Sequence, residues 1–198
     1  MPRPNALADI RILVIPGSLR RASLNKALGR AAAEVAPAHV AVEVADLAGI
    51  PPYDDDLYAQ GLPEAVASLR RRVAEADAVL IVTPEYNFSY PGVLKNAIDW
   101  LSRGKDQPFR GKPTAMASVA AGALGGIRAQ VALREVLHYL ETDTLERPEL
   151  VVGGANAKFD ASGKLTDEPT RAQLAKVVVA IAERVARSRA IAAACAEA

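Results

Sequence analysis

The stretch "DAVLIVTPEYNFSYPGVLKNAIDW", residues 77–100, combines a strand, a turn and a helix in one short piece of chain. Its first part is a continuous apolar run, which is typical of a strand buried on both faces of a parallel sheet. The run stops at Pro84, and Pro91 suits the first turn of a helix. The stretch therefore predicts a strand over 77–84 and a helix over 91–101.

Strands and helices alternate in the same way along the rest of the chain. Apolar runs predict five strands, at 10–15, 39–47, 77–84, 112–120 and within 141–155. Helical spacing of apolar residues predicts helices at 23–36, 64–76, 91–101, 122–140 and 170–190. Residues 48–63, with three successive aspartates, read as a long loop. This alternation predicts an α/β fold with a doubly wound parallel sheet and helices on both faces.

Length and composition predict one domain that binds neither nucleic acid nor membrane. The 198 residues form one unit, 1–198, with a core over about 10–188, a short N-terminal tail and an Ala-rich C-terminal tail. The 24 Lys and Arg nearly balance the 23 Asp and Glu, which argues against a nucleic-acid surface. No apolar run is long enough for a membrane span. A single cysteine, Cys195, excludes a disulfide framework and favours a reducing, cytoplasmic location.

The loop after the first strand, "PGSLRRASLN" (16–25), contains the parts of an anion site. In a doubly wound sheet, ligands bind outside the carboxyl ends of the strands. Here Ser18, Ser23 and Asn25 supply polar side chains, Arg20 supplies a guanidinium, and a helix begins with free N–H groups. The alternative is that Ser23 only caps the helix and the arginines are solvated. We favour a phosphate site.

The loop after the fourth strand, "SVAAGALGGIR" (118–128), is rich in glycine. Gly122, Gly125 and Gly126 would allow the backbone to turn tightly and to approach a neighbouring group closely. The alternative is a flexible turn before a helix.

Metal and nucleophile chemistry has little support in the sequence. His39 and His138 lack Cys or His partners at metal spacing, and three consecutive aspartates (54–56) cannot converge on one ion while extended. No Ser-His-Asp set can be assembled. We therefore predict no metal and no catalytic side chain, and interpret the acidic loop as solvated, as a lid, or as a subunit contact.

Three motifs together resemble the NADPH-dependent FMN reductases of the flavodoxin-like superfamily, and most closely the bacterial quinone and chromate reductases. The motifs are "GSLRRASLN" (17–25), "PEYNFSYPGVLKNAIDWLSR" (84–103) and "GALGGIRAQVALREVL" (122–137). The resemblance extends over about residues 10–185. It implies a flavodoxin-like, three-layer αβα fold with a five-stranded sheet of order 2-1-3-4-5. It also implies bound FMN and a homodimer or homotetramer.

Carried over residue by residue, the resemblance assigns two ends of an FMN site. Ser18, Arg20 and Asn25 would hold the phosphate, and Ser23 would donate to it or cap the helix. Pro84, Glu85, Tyr86 and Asn87 would meet the flavin, with main-chain groups and the asparagine on the isoalloxazine and ribityl and the aromatic beside the ring. Glu85 is equally well explained by a salt bridge or a contact with a partner subunit.

In the third motif, the N–H groups of Gly122, Gly125 and Gly126 would stabilise charge on the reduced flavin. Family members often carry a serine where this chain has Ala120, so a hydroxyl contact there is in doubt. Arg128 is expected to meet substrate or a neighbouring subunit.

The chemistry implied by the resemblance is a ping-pong reduction, with hydride passing from NADPH or NADH to the flavin and then to an acceptor. Quinone, chromate, azo dye and free flavin all remain open as the acceptor. One alternative is an FMN electron carrier without reductase activity, although such flavodoxins are usually strongly acidic and this chain has a net charge of +1. Another is a flavin-free regulatory or scaffold protein on the same fold.

Overall fold

The computed structural model describes residues 10–197; the predicted N-terminal tail (1–9) and residue 198 lie outside this range. The helices and strands are, in chain order, β1 Ile10–Pro16, α1 Leu24–Val35, β2 Val40–Val44, α2 Asp55–Ala59, α3 Glu64–Glu75, β3 Ala78–Thr83, α4 Gly92–Leu101, β4 Pro113–Val119, α5 Ile127–Tyr139, β5 Asp143–Thr144, β6 Leu150–Val152 and α6 Glu168–Ala196. A 3-10 turn, Ala155–Ala157, follows β6.

The strands form one parallel sheet in the order β2-β1-β3-β4-β5, and β6 also pairs with β4. The predicted α/β class and the order 2-1-3-4-5 are therefore confirmed. Pro16 pairs with Val82, Thr83 with Ser118, and Val119 with Val152. The carboxyl ends of β1, β3, β4 and β6 consequently lie at one edge of the sheet, where a doubly wound fold binds its ligands.

Helices cover both faces of the sheet and enclose two separate cores. One core packs α1 and α6 against Ile12, Val14 and neighbouring inward-facing strand residues. The other packs α3, α4 and α5 against Leu13, Ile15 and their neighbours on the opposite face. Successive strand residues point to opposite faces, so an apolar run such as 78–83 supplies both cores at once.

Three elements differ from the prediction. The fifth strand is broken into β5 and β6, which pair with opposite ends of β4, because the chain leaves the sheet over 145–149 around Pro148. The predicted loop 48–63 contains the short helix α2, where the Asp54 side chain accepts a hydrogen bond from the Asp56 N–H. Helix α6 continues to Ala196, so most of the predicted C-terminal tail is helical.

Within residues 10–197, no helix combines the length and the apolar content that crossing a membrane requires.

Candidate functional site

A cavity of about 370 Å³ opens at the carboxyl edge of the sheet. Its walls come from within residues 18–25 after β1, from 84–86 after β3, from 119–121 at the end of β4, and from Asn156 after β6. The structure thus brings together the first two motifs singled out in the sequence. A volume of this size lies in the range that small-molecule and cofactor sites occupy.

The loop after β1 gives the cavity a positive, donor-rich end. Ser23 is the N-cap of α1, and its Oγ accepts a hydrogen bond from the Lys26 N–H at 3.3 Å. This hydroxyl therefore caps the helix, which was one of the two roles considered for it. Within residues 10–197, the main-chain N–H groups of Leu24 and Asn25 have no acceptor. They point from the positive end of a helix, which favours an anion.

Arg20 and Ser18 complete this end of the cavity. Ser18 is buried, and its Oγ lies 3.4 Å from the Arg20 N–H. Arg20 is exposed, and no ion pair joins it to any of residues 10–197. Its guanidinium is therefore available to an anionic group in the cavity.

Asn25 has a different role from the predicted phosphate contact. Its side chain is buried, its Nδ2 donates to the Val119 carbonyl at 3.1 Å, and its Oδ1 accepts from the Val119 N–H at 3.1 Å. The amide thereby ties the first turn of α1 to the end of β4. The direct phosphate contact is not supported by this geometry, because one amide face already serves the main chain.

The loop after β3 forms a tight turn beside the cavity. Tyr86 and Ser89 exchange main-chain hydrogen bonds of 2.9 and 3.0 Å, and both intervening residues have positive φ, 49° at Asn87 and 67° at Phe88. This is the pattern of a two-residue type I′ turn. Pro84 and Tyr86 line the cavity, whereas Asn87 is exposed in the turn and is not part of the lining. The contact of the Asn87 side chain with the cofactor stays a prediction.

Phe88 adopts an unusual backbone conformation for a bulky side chain. Positive φ in a residue other than glycine costs of order 1–3 kcal/mol. The ring is 70% exposed, so burial in this chain does not offset that strain.

Glu85 forms an ion pair within the chain, which was one of its three predicted explanations. Its Oε1 accepts from Arg128 Nε at 2.6 Å and also contacts Nη2, while its Oε2 accepts from the Arg128 main-chain N–H at 3.2 Å. The Glu85 side chain is only 9% exposed. The guanidinium of Arg128 also lies over the Phe88 ring, 3.7 Å from its centroid.

Packing requires two of the three glycines of the third motif, Gly125 and Gly126, whereas a Cβ at Gly122 would meet nothing within 4 Å. A Cβ at Gly125 (φ 59°) would lie 2.7 Å from the Gly153 nitrogen, and one at Gly126 (φ 91°) would lie 2.8 Å from Ser118 Cβ. The Gly125 N–H already donates to the Gly122 carbonyl. None of the three glycines lines the cavity, and the flavin contacts of Gly122, Gly125 and Gly126 stay predictions.

Six residues that line the cavity are absent from the predicted site residues: Ala22, Leu24, Val119, Ala120, Ala121 and Asn156. Ala120 and Ala121 occupy the wall where glycines were expected, and Asn156 comes from the 3-10 turn after β6. The sequence did contain a signal for Asn156. The segment "GGAN" (153–156) follows an apolar strand, so in a parallel sheet it lies at the same edge as the other loops.

Comparison with known proteins relates the chain to flavin-dependent reductases. Residues 10–157 match the family described as NADPH-dependent FMN reductase. The chain belongs to this family. It is 45% identical to an NAD(P)H-dependent FMN reductase of Pseudomonas aeruginosa over 181 residues, 91% of this chain and 98% of that protein. It is 43% identical to a quinone reductase of Pseudomonas putida, again over 181 residues, covering 91% and 97%.

A solved structure also matches most of the chain. FerB, a flavoenzyme NAD(P)H:(acceptor) oxidoreductase from Paracoccus denitrificans, superposes with a TM-score of 0.81 at 36% identity, covering 90% of this chain and 98% of that one. Membership of the family confirms the prediction of an oxidoreductase that uses FMN and a nicotinamide donor.

The donor set of the cavity fits FMN. A flavin nucleotide carries a phosphate at one end and a flat, mainly apolar ring at the other. The cavity offers free amides and Arg20 after β1, and the buried Pro84, the half-exposed Tyr86 and the small Ala120 after β3 and β4. No metal is needed to explain the site, and residues 10–197 contain no cluster of His, Cys, Asp and Glu suited to a metal ion.

Proposed function

We propose that the protein uses FMN in this cavity to reduce quinones or similar flat acceptors with electrons from NAD(P)H. The observation that carries the proposal is the continuity of the cavity from the amides and guanidinium after β1 to the proline-bounded loop after β3. An anion site suits the phosphate of a flavin nucleotide, and the neighbouring part of the cavity, lined by small side chains, suits its flat ring. When bound, FMN supplies two-electron hydride chemistry, in which NAD(P)H, a quinone and a proton give NAD(P)⁺ and a hydroquinone.

The chain's own contribution is binding and orientation. The Leu24 and Asn25 N–H groups and the Arg20 guanidinium would hold the phosphate, and Ser18 would contribute a hydroxyl. Pro84 removes backbone freedom where β3 ends, so the Glu85 and Tyr86 main chain presents a fixed edge to the ring.

Acid–base catalysis by a side chain is not part of the proposal. Glu85 is the one carboxylate among the described lining residues, and its two oxygens are bound to Arg128. With both of its oxygens engaged by Arg128, this side chain is not available to substrate, so proton delivery falls to solvent.

The experiment that tests the proposal is anaerobic mixing of the purified protein with NADPH. The protein is expected to carry the yellow flavin absorbance, released as FMN on heating. Rapid bleaching by NADPH and recovery on adding a quinone support a reductase. A flavin that NADPH does not bleach indicates an electron carrier, and a colourless protein that cannot be reconstituted with FMN overturns the proposal.

We further propose chromate and azo compounds as secondary acceptors, since an accessible reduced flavin transfers electrons to many oxidants. The cytoplasm is the proposed location because NAD(P)H is available there. A homodimer or homotetramer is proposed from the exposed apolar side chains of Leu124, just before α5, and of Val131 and Tyr139 on α5, which are 54%, 58% and 83% exposed. Light scattering on Val131→Glu tests this: the wild type is expected to assemble and the variant to dissociate.

A further inference from the structure

Thr83, the last residue of β3, carries a hydroxyl that packing does not require. The residue is 0% exposed, and the side chains on the same face of the strand, Val79 and Ile81, are apolar. A valine has nearly the shape of a threonine and would fill the same space. Burying a hydroxyl costs free energy unless the hydroxyl finds a partner. The group that this hydroxyl binds is therefore the reason to look for a role.

The hydroxyl of Thr83 holds the carbonyl of the next residue. Its Oγ1 donates to the Pro84 carbonyl oxygen at 2.8 Å, and both residues are buried. The peptide between Pro84 and Glu85 is trans, so its C=O and its N–H point in opposite directions. With the carbonyl held on the Thr83 side chain, the Glu85 N–H is turned the other way, at a point where Pro84 and Glu85 both line the cavity.

The Glu85 N–H is the free main-chain donor in this wall of the cavity. Pro84 has no N–H, and the Tyr86 N–H already donates to the Ser89 carbonyl at 2.9 Å. Within residues 10–197, the Glu85 N–H has no acceptor. Main-chain donors in folded proteins are normally paired, so an unpaired one that lines a cavity is available to an acceptor atom of the ligand.

The edge of the flavin ring carries acceptors of the matching kind, its carbonyl oxygens and ring nitrogens. An N–H that faces them attracts, whereas a peptide turned over would present its own carbonyl oxygen and repel. We propose that Thr83 is a positioning residue for the cofactor, since its hydroxyl fixes the orientation of the Pro84–Glu85 peptide and so directs the Glu85 N–H to the flavin. The inference rests on the proposed function, because it concerns how this cavity holds FMN.

The test measures binding of FMN and of riboflavin to the full-length protein from which FMN has been removed, by quenching of flavin fluorescence. Thr83→Val keeps the shape of the side chain and removes the hydroxyl. This variant is expected to raise the Kd of both ligands about threefold to tenfold, which corresponds to one hydrogen bond. The factor should be the same for both, because riboflavin has the same ring and lacks only the phosphate. Thr83→Ser keeps the hydroxyl and should bind both ligands like the wild type.

Thr114→Val is the matched control, because it makes the same change at the other edge of the sheet. Thr114 is also 0% exposed, and its Oγ1 donates to a main-chain carbonyl, that of Lys112, at 3.0 Å. Thr83 pairs with Ser118, four residues beyond Thr114 on β4, so the two threonines lie about 13 Å apart along the strands. The control variant is expected to lose a similar hydrogen bond and to leave both Kd values unchanged.

Hydrogen exchange at the Glu85 amide provides a readout that a purely structural role for Thr83 would not move. In the FMN-free protein this amide lacks an acceptor and is expected to exchange rapidly. Saturation with FMN should slow its exchange in the wild type and in Thr83→Ser. The slowing should be much smaller in Thr83→Val, even when that variant is saturated.

Wild-type affinity for both ligands in Thr83→Val, or an equal loss in Thr114→Val, overturns the inference. A loss confined to FMN also overturns it, because it places the effect on the phosphate loop, where a Cβ at Gly17 would lie 3.4 Å from Thr83 Oγ1. Exchange at Glu85 that FMN does not slow in the wild type contradicts the proposed donor. Failure of the wild type to bind FMN at all would instead refute the proposed function.

Discussion

Replacing Asn25 with alanine tests whether this side chain acts on the fold or on the cofactor. The amide makes two hydrogen bonds of 3.1 Å to the Val119 main chain, in a position that is 4% exposed. Alanine leaves the Val119 N–H and carbonyl without partners. A buried polar group left unpaired costs about 1–3 kcal/mol, so the pair costs roughly 2–6 kcal/mol. Such domains have a total free energy of unfolding of about 5–15 kcal/mol, so the loss is large.

The measurement is urea unfolding of the FMN-free protein, followed by circular dichroism. Without cofactor, no phosphate contact can contribute, so any loss reports the bridge between α1 and β4. Asn25→Asp is expected to lose less, because a carboxylate still accepts from the Val119 N–H but cannot donate to its carbonyl.

Asn156→Ala provides the control, since it makes the same change in the same cavity. Asn156 is exposed and its side chain makes no hydrogen bond within residues 10–197, so the variant is expected to unfold like the wild type. If Asn25→Ala changes the unfolding free energy of the FMN-free protein by less than about 1 kcal/mol and only weakens FMN binding, the bridging role is wrong and the phosphate contact is right.

Three further predictions concern other parts of the chain. Gly125→Ala should lower the unfolding free energy by about 2 kcal/mol or more, because it strains a positive φ and forces a Cβ against Gly153; a melting curve like that of the wild type would contradict this. Arg20→Ala should raise the Kd for FMN about tenfold, with a weaker salt dependence, but leave riboflavin binding unchanged; fluorescence quenching measures both. Hydrogen bonds from Thr170 hold the pKa of Asp167 below its ordinary value, so its stabilising contribution is complete above the unfolded pKa and is lost as pH falls through the folded one. The difference in melting temperature between wild type and Asp167→Ala should therefore shrink from pH 7 toward acid, and a gap constant with pH would refute it.

The sequence predicted the sheet because its signal is local. A short apolar run such as 78–83, with its β-branched residues and Pro84 directly after it, favours a strand covered on both faces, and helices follow most of the runs. The bounds of the fifth strand were harder to predict from the sequence. Leu145 and Leu150 are both buried, although the chain leaves the sheet between them. Apolar pattern alone does not distinguish these buried positions from a continuous strand.

The sequence predicted where the site lies better than it predicted which residues its side chains would contact. The loops after β1 and β3 do meet at one cavity, as their place in the chain required. Asn25 bonds to a residue 94 positions away, and Glu85 pairs with a residue 43 positions away. Side-chain chemistry shows that such groups need partners, but sequence spacing does not show which ones. The glycines at 125 and 126 illustrate the same limit, since their close neighbours belong to β4 and the chain after β6.

The interrupted fifth strand has a consequence for how the protein behaves at high concentration. Beyond β4 the sheet presents only a two-residue and a three-residue strand, separated by the charged segment 145–149 with Pro148, which has no N–H to donate. An intruding chain needs a row of about six or seven regular main-chain groups to stack as a fibril. This border offers no such row, and natural sheets protect their borders by the same means. The break that obscured the strand in the sequence thus protects this border of the sheet against self-templated aggregation.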